Sequence, residues 1–123
     1  IAQSVYVFEM EVDTLLRYRK KKNAIASLPK YPASTRDLAI LVDADLSTAE
    51  IERVIAKKGG KFFRGATLFD VYEGKQVGKG KKSMAFHLHF QSDDKTLTDE
   101  EVDAAFADIL AAAQSQLHAE LRA

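Results

Sequence analysis

The chain of 123 residues contains no cysteine. That absence excludes a disulfide scaffold, a thiolate nucleophile and every zinc site built on sulfur. Long apolar runs are missing as well: no uninterrupted stretch approaches the roughly 20 residues needed to cross a bilayer, and no signal-peptide pattern opens the sequence. The expectation is therefore a cytoplasmic protein with no membrane partner. An excess of either charge is also lacking, since 18 basic side chains are balanced by 18 acidic ones. A protein that coats polyanions non-specifically is basic overall, so that class is disfavoured. What remains is ordinary for a globular protein, with 46% hydrophobic and 29% charged residues. A chain this long buries roughly two-thirds of the surface exposed by its unfolded form, enough for one core without covalent staples.

The charges are unevenly distributed. Residues 17–36 carry seven basic groups and no acidic one, and residues 57–92 carry eight basic against two acidic. Residues 93–123 reverse the balance, with eight acidic against two basic. Both prolines, Pro29 and Pro32, follow the basic run Arg17–Lys22 and a stretch of small residues. Because proline disfavours a continuous helix, this stretch reads as a boundary. Residues 1–29 are expected to be the tail of something larger plus a basic linker, and residues 30–123 a domain. The opening Ile1, in mid-pattern, is consistent with a fragment. Ser4–Val12 alternates apolar and polar side chains at its end and predicts a strand.

From Thr35 onward the signals sharpen. Leu38, Ile40 and Val42 share one face of a strand, with Ala39 and Leu41 on the other. Ser47 and Glu50 form a capping box, flanked by a Leu46–Ile51 hydrophobic staple, and predict a helix over 47–58 whose stripe is Ile51, Val54 and Ile55. Gly59-Gly60 supplies its left-handed stop. A second strand is expected over about 61–72, with Phe69 and Val71 on one face and Leu68, Asp70 and Tyr72 on the other. The Gly- and Lys-rich stretch Gly74–Lys82 leads into a third strand, with Met84, Phe86, Leu88 and Phe90 inward and Ser83, Ala85, His87 and His89 outward. Thr98 and Glu101 form another capping box, stapled by Leu97 and Val102, and open a helix over 98–118. Glu120-Leu-Arg122 is either a short closing strand or a fraying end. The order β-α-β-β-α, with or without a final strand, predicts an α+β ferredoxin-like split βαβ sandwich: an antiparallel sheet with two helices on one face. Its expected core includes Phe69, Val71, Met84, Phe86, Leu88, Val102, Phe106 and Leu110.

With both helices on one side, the other sheet face is open. Alternation assigns it Ala39, Leu41, Leu68, Asp70, Tyr72, Ser83, Ala85, His87 and His89. Such a platform suits single-stranded RNA, whose splayed bases stack on aromatic rings and hydrogen-bond at their edges. A solvated face, or one covered by another domain, has the same composition. Sharper chemistry fails. His87-x-His89 has no evident third metal ligand. Ser83, His87 and Asp70 lack a nucleophile elbow and an oxyanion hole. Gly74–Gly80 misses the phosphate-loop spacing and precedes no helix, so it reads as a hairpin loop with lysines near a nucleic-acid backbone.

Three regions carry a resemblance: Lys30-Tyr-Pro-Ala-Ser-Thr-Arg-Asp-Leu-Ala-Ile-Leu-Val-Asp43; Leu68-Phe-Asp-Val-Tyr-Glu-Gly-Lys-Gln76 with Gly80-Lys-Lys-Ser-Met-Ala-Phe86; and Lys95-Thr-Leu-Thr-Asp-Glu-Glu-Val102. In this order and spacing they resemble the ferredoxin-fold anticodon-binding domain that ends the bacterial phenylalanyl-tRNA synthetase beta subunit, over about residues 30–123. Val5–Glu11 also resembles the last strand of the catalytic-like domain that precedes it there. The resemblance implies that the chain grips the anticodon of phenylalanine tRNA while an alpha subunit, in an alpha2-beta2 heterotetramer, performs aminoacylation. Carried over by motif, the anticodon contacts fall on Asp70, Tyr72 and Ser83. No catalytic site, metal or cofactor is implied for this stretch; ATP and magnesium belong to the parent complex. The competing expectation is a ferredoxin-like small-ligand sensor or subunit-interface domain, because fold alone does not choose among these.

Overall fold

The computed structural model describes residues 3–19 and 29–122. Its elements, in chain order, are α1 (Val12–Tyr18), β1 (Ser34–Asp43), α2 (Thr48–Lys58), β2 (Phe63–Tyr72), β3 (Lys81–Phe90), α3 (Asp99–Leu117) and β4 (Glu120–Leu121). The four strands form one sheet in the order β2-β3-β1-β4, with every adjacent pair antiparallel. This is the expected ferredoxin-like arrangement, and Glu120–Leu121 is its closing strand.

The side-chain period of β3 organises the interior. Met84, Phe86, Leu88 and Phe90 are essentially inaccessible, and Leu38, Ile40 and Val42 of β1 complete the same face. Ile51 and Ile55 of α2 and Val102, Ile109 and Ala113 of α3 pack onto it. Phe106 and Leu110, expected in the core, are partly buried at its margin. Burying a phenylalanine removes a large apolar area from water, and the surrounding side chains do not collapse fully when it is lost.

Both helices begin where their capping boxes predict. Ser47 Oγ accepts from the Glu50 amide at 3.3 Å, and the Glu50 carboxylate accepts from the Ser47 amide at 3.1 Å. Thr98 and Glu101 repeat the arrangement at 3.4 and 3.3 Å. Gly59 and Gly60 end α2 by different means. Gly60 takes the left-handed conformation, with φ +69°. Gly59 keeps a right-handed conformation and instead makes room, since a Cβ there would collide with the ring of Phe63. His118, at φ 49°, ends α3, and the Ala119 amide donates to the carbonyl of Ala113. Arg36 of β1 ties the sheet to the first turn of α3, donating to Asp99 and Asp103 at 2.9 Å each. These two hydrogen bonds hold its guanidinium pKa above the usual value.

Two expectations are corrected. Ser4–Val12 is not a strand: residues 4–11 have no regular structure, and Val12 opens the short helix α1. A strand needs a partner for its backbone groups, and no described strand pairs with this segment, whose Tyr6, Val7 and Phe8 are exposed. Lys20, Lys21 and Lys22 of the basic run lie outside the described residues.

The second correction concerns β2. Leu68 pairs with Phe86 and Asp70 with Ala85, so Phe69 is an extra residue, a β-bulge. One inserted residue reverses the alternation on either side of it. Leu68, expected on the open face, therefore packs against the core, while Phe69, expected inside, is 50% exposed. Val71 lies opposite the buried Met84, yet it is 48% exposed because the core packs against Phe63, Ala66 and Leu68 and stops short of it.

Two outcomes follow from this packing. Phe86→Ala is expected to lower unfolding free energy by about 3–5 kcal/mol, measured by urea denaturation. Acid dependence follows from the caps. Hydrogen bonds from Ser47 lower the Glu50 pKa, and those from Lys95 and then the Thr98 amide lower that of Glu101, both below the ordinary 4.5. A depressed carboxylate stabilises the folded state fully above its unfolded value and loses that contribution as pH falls through the folded one. Stability should therefore drop as pH is lowered below about 4.5, and the drop should be shallower in Glu50→Gln/Glu101→Gln, read from denaturation midpoints across pH.

Candidate nucleic-acid interface

The sheet face turned away from the helices carries the candidate site. In an antiparallel pair, residues directly opposite one another share a face. Pairing of Tyr72 with Ser83, Asp70 with Ala85, Asp37 with His87 and Leu41 with Ser83 therefore places these side chains on the sheet face away from the helices. Phe69 joins them, because its ring stacks on that of His87 with centroids 3.9 Å apart and planes 11° from parallel. The bulge thus gives this face two consecutive side chains, Phe69 and Asp70, where a regular strand gives one.

The three residues anticipated from the sequence occupy different environments. Asp70 is exposed. Tyr72 is 38% exposed, and its hydroxyl lies over Gly74, where a Cβ would sit 2.8 Å away. The missing side chain at Gly74 is what allows the phenol to lie across the start of the hairpin. Ser83 is only 6% exposed, and its Oγ accepts from Arg122 Nη1 at 3.2 Å. The structure therefore brings Asp70 and Tyr72 to the surface on neighbouring positions of β2, with Ser83 beneath, reaching outward through the exposed guanidinium of Arg122.

Arg122 and Phe69 are residues that sequence reasoning missed. Arg122 is placed by the short strand β4, where its amide donates to the carbonyl of Ala39 at 3.0 Å. An arginine five positions after the last residue of α3 carries no motif, and only the strand pairing aims it at Ser83. Phe69 was hidden by the bulge.

Polar groups on this face are largely paired. His87 Nδ1 lies 2.6 Å from Asp37 Oδ1; a carboxylate only accepts, so the imidazole donates. His89 Nε2 and Thr67 Oγ1 share a hydrogen bond at 3.1 Å. Lys81 donates to Glu120 at 2.7 Å, which raises the lysine pKa. The hairpin between β2 and β3 borders the face at one end, with positive φ at Gly78 and Gly80, and the Ala44 amide bonds to the Gly80 carbonyl. It encloses an open groove of about 490 Å³ lined in part by Lys75, Lys79 and Lys81. Among the described residues, no group of three or more His, Asp or Glu is arranged to hold a metal ion, and no helix is long and apolar enough to cross a membrane.

Half-exposed aromatic rings lie beside a carboxylate and a guanidinium, on an antiparallel sheet bordered by lysines, chemistry of the kind on which unpaired bases can stack and hydrogen-bond. The chain belongs to the ferredoxin-fold anticodon-binding domain family, whose model matches residues 29–122. It is 40% identical over 122 residues to the phenylalanine–tRNA ligase beta subunit of Clostridium acetobutylicum, covering 99% of this chain and 15% of that protein. The corresponding subunits of Listeria monocytogenes and Bacillus subtilis are 42% and 39% identical over 120 residues, again 98% of this chain and 15% of theirs. The chain thus spans about 15% of the length of these relatives.

The contact between Ser83 and Arg122 has a measurable signature. Ser83→Ala is expected to cost about 1 kcal/mol of stability, the net contribution of one hydrogen bond. Adding Arg122→Ala should cost less than the sum of the single changes, and a double-mutant cycle from urea denaturation reads this coupling.

Proposed function

We propose that the chain recognises the anticodon of phenylalanine tRNA as the C-terminal part of a phenylalanine–tRNA ligase beta subunit. Family membership over residues 29–122, together with an open face carrying Asp70 and Tyr72, supports this reading. Tyr72 provides a stacking surface for an unpaired anticodon base. Asp70 accepts hydrogen bonds from a base edge, and Ser83 contributes by holding Arg122, whose remaining donors face the RNA. Lysines 75 and 79 of the hairpin position phosphates and set the salt dependence without reading sequence. Within the larger protein, residues 1–29 are the end of a preceding catalytic-like domain and a linker, and residues 30–123 are the binding domain. The exposed Tyr6, Val7 and Phe8 are consistent with a segment that packs against that neighbour. Aminoacylation, with ATP and magnesium, belongs to the alpha subunit of an alpha2-beta2 assembly in the cytoplasm, and this stretch is a binding module. The sensor alternative leaves the family membership unaccounted for.

The test is binding of a hairpin RNA carrying the phenylalanine anticodon loop, compared with one whose anticodon bases are changed. Tyr72→Ala is expected to weaken binding of the matched loop by roughly 1–3 kcal/mol. Asp70→Ala should relax the preference between the two loops more than it lowers affinity. Equal binding of both loops by wild type and both variants, with salt as the only influence, would overturn specific recognition by this face.

A further inference from the structure

Phe69 is the extra residue of the β2 bulge, and its ring lies flat on the imidazole of His87, 3.9 Å away and 11° from parallel. One ring face is thereby covered, so the 50% of the residue that remains exposed is its other face and edge. The support beneath it is rigid. His87 sits on β3 between the inaccessible Phe86 and Leu88, and its Nδ1–H donates to Asp37 Oδ1 at 2.6 Å. That bond fixes the plane and the tautomer of the imidazole. A backed, half-open aromatic ring beside the exposed carboxylate of Asp70 offers a stacking surface with a hydrogen-bonding rim.

We infer that Phe69 is a second nucleobase-stacking subsite, which takes an unpaired base adjacent to those engaged by Asp70 and Tyr72. Asp37 and His87 are positioning residues: they hold the ring's underside and do not touch the RNA. The subsite rests on the anticodon-binding reading and extends it, because recognition then runs further along β2, away from the end near the hairpin. Every base has a π-face, so Phe69 adds affinity and places the loop, while discrimination stays with Asp70.

The experiment uses the matched hairpin RNA with 2-aminopurine substituted at one loop position at a time, since stacking on an aromatic ring quenches its fluorescence. Quenching at two separate positions is expected on binding to wild type. Phe69→Leu, which keeps an apolar side chain but loses the ring, should abolish quenching at one of them, leave the Tyr72-dependent one, and weaken binding roughly five- to hundredfold. Phe69→Trp should restore both signals. Asp37→Ala and His87→Ala should diminish the same signal as Phe69→Leu while the thermal melting profile stays cooperative. Wild-type quenching and affinity in Phe69→Leu, beside a loss in Tyr72→Ala, would overturn the subsite and leave anticodon binding intact. Failure of the wild-type chain to bind the hairpin RNA would overturn both.

Discussion

The alternation of side chains along β3 is the constraint on which the rest of the molecule depends. This strand pairs with β1 on one side and β2 on the other, so its register sets which residues of three strands face the helices. Its four inaccessible apolar side chains leave no freedom to slip, because a shift of one residue would put Phe86 and Leu88 in water and the two histidines in the core. The helices are located by this face as much as by their own stripes. Arg36, on the same side of β1, then pins the acidic first turn of α3 at the place where the macrodipole already favours negative charge.

Much of this was legible because the relevant signals are local. A capping box satisfies particular backbone amides within four residues, and both boxes mark helix starts to the residue. The run from Ser83 to Phe90 has the strict period of a half-buried strand, and it folds in that register. The β2 bulge was not legible. Leu-Phe-Asp-Val-Tyr reads equally well with either parity, and the extra residue is revealed only by the partner strand that skips it. The N-terminal segment misled for a related reason: alternation near Val5–Val12 describes a pattern, whereas a strand also requires a neighbour. At the site, Asp70 and Tyr72 were on the face assigned by alternation because they lie beyond the bulge on the strand segment nearest the hairpin. Arg122 depends on a two-residue strand that had no distinctive signal.

A net charge of zero conceals a division of labour. Many acidic groups of the C-terminal region are engaged with basic ones: Asp99 and Asp103 with Arg36, Asp93 with Arg64 and Glu120 with Lys81 from elsewhere in the chain, and Glu101 with the neighbouring Lys95. These pairs lie partly exposed, where each contributes little to stability. Their larger effect is to leave the hairpin as a locally basic border to a sheet that is otherwise close to neutral. Such a surface exerts little long-range pull on a polyanion, so a ligand on it would be held by stacking and hydrogen bonds at contact.

The bulge at Phe69 also bears on how the protein behaves at high concentration. β2 is an outer strand of ten residues, long enough for its unpaired backbone groups to template a strand from another molecule. An inserted residue increases local twist and interrupts the even spacing of donors and acceptors that such pairing requires. The same irregularity that turns an aromatic ring outward therefore shields the sheet from edge-to-edge aggregation, so a substitution that straightened β2 would trade an outward-facing ring for a sticky edge.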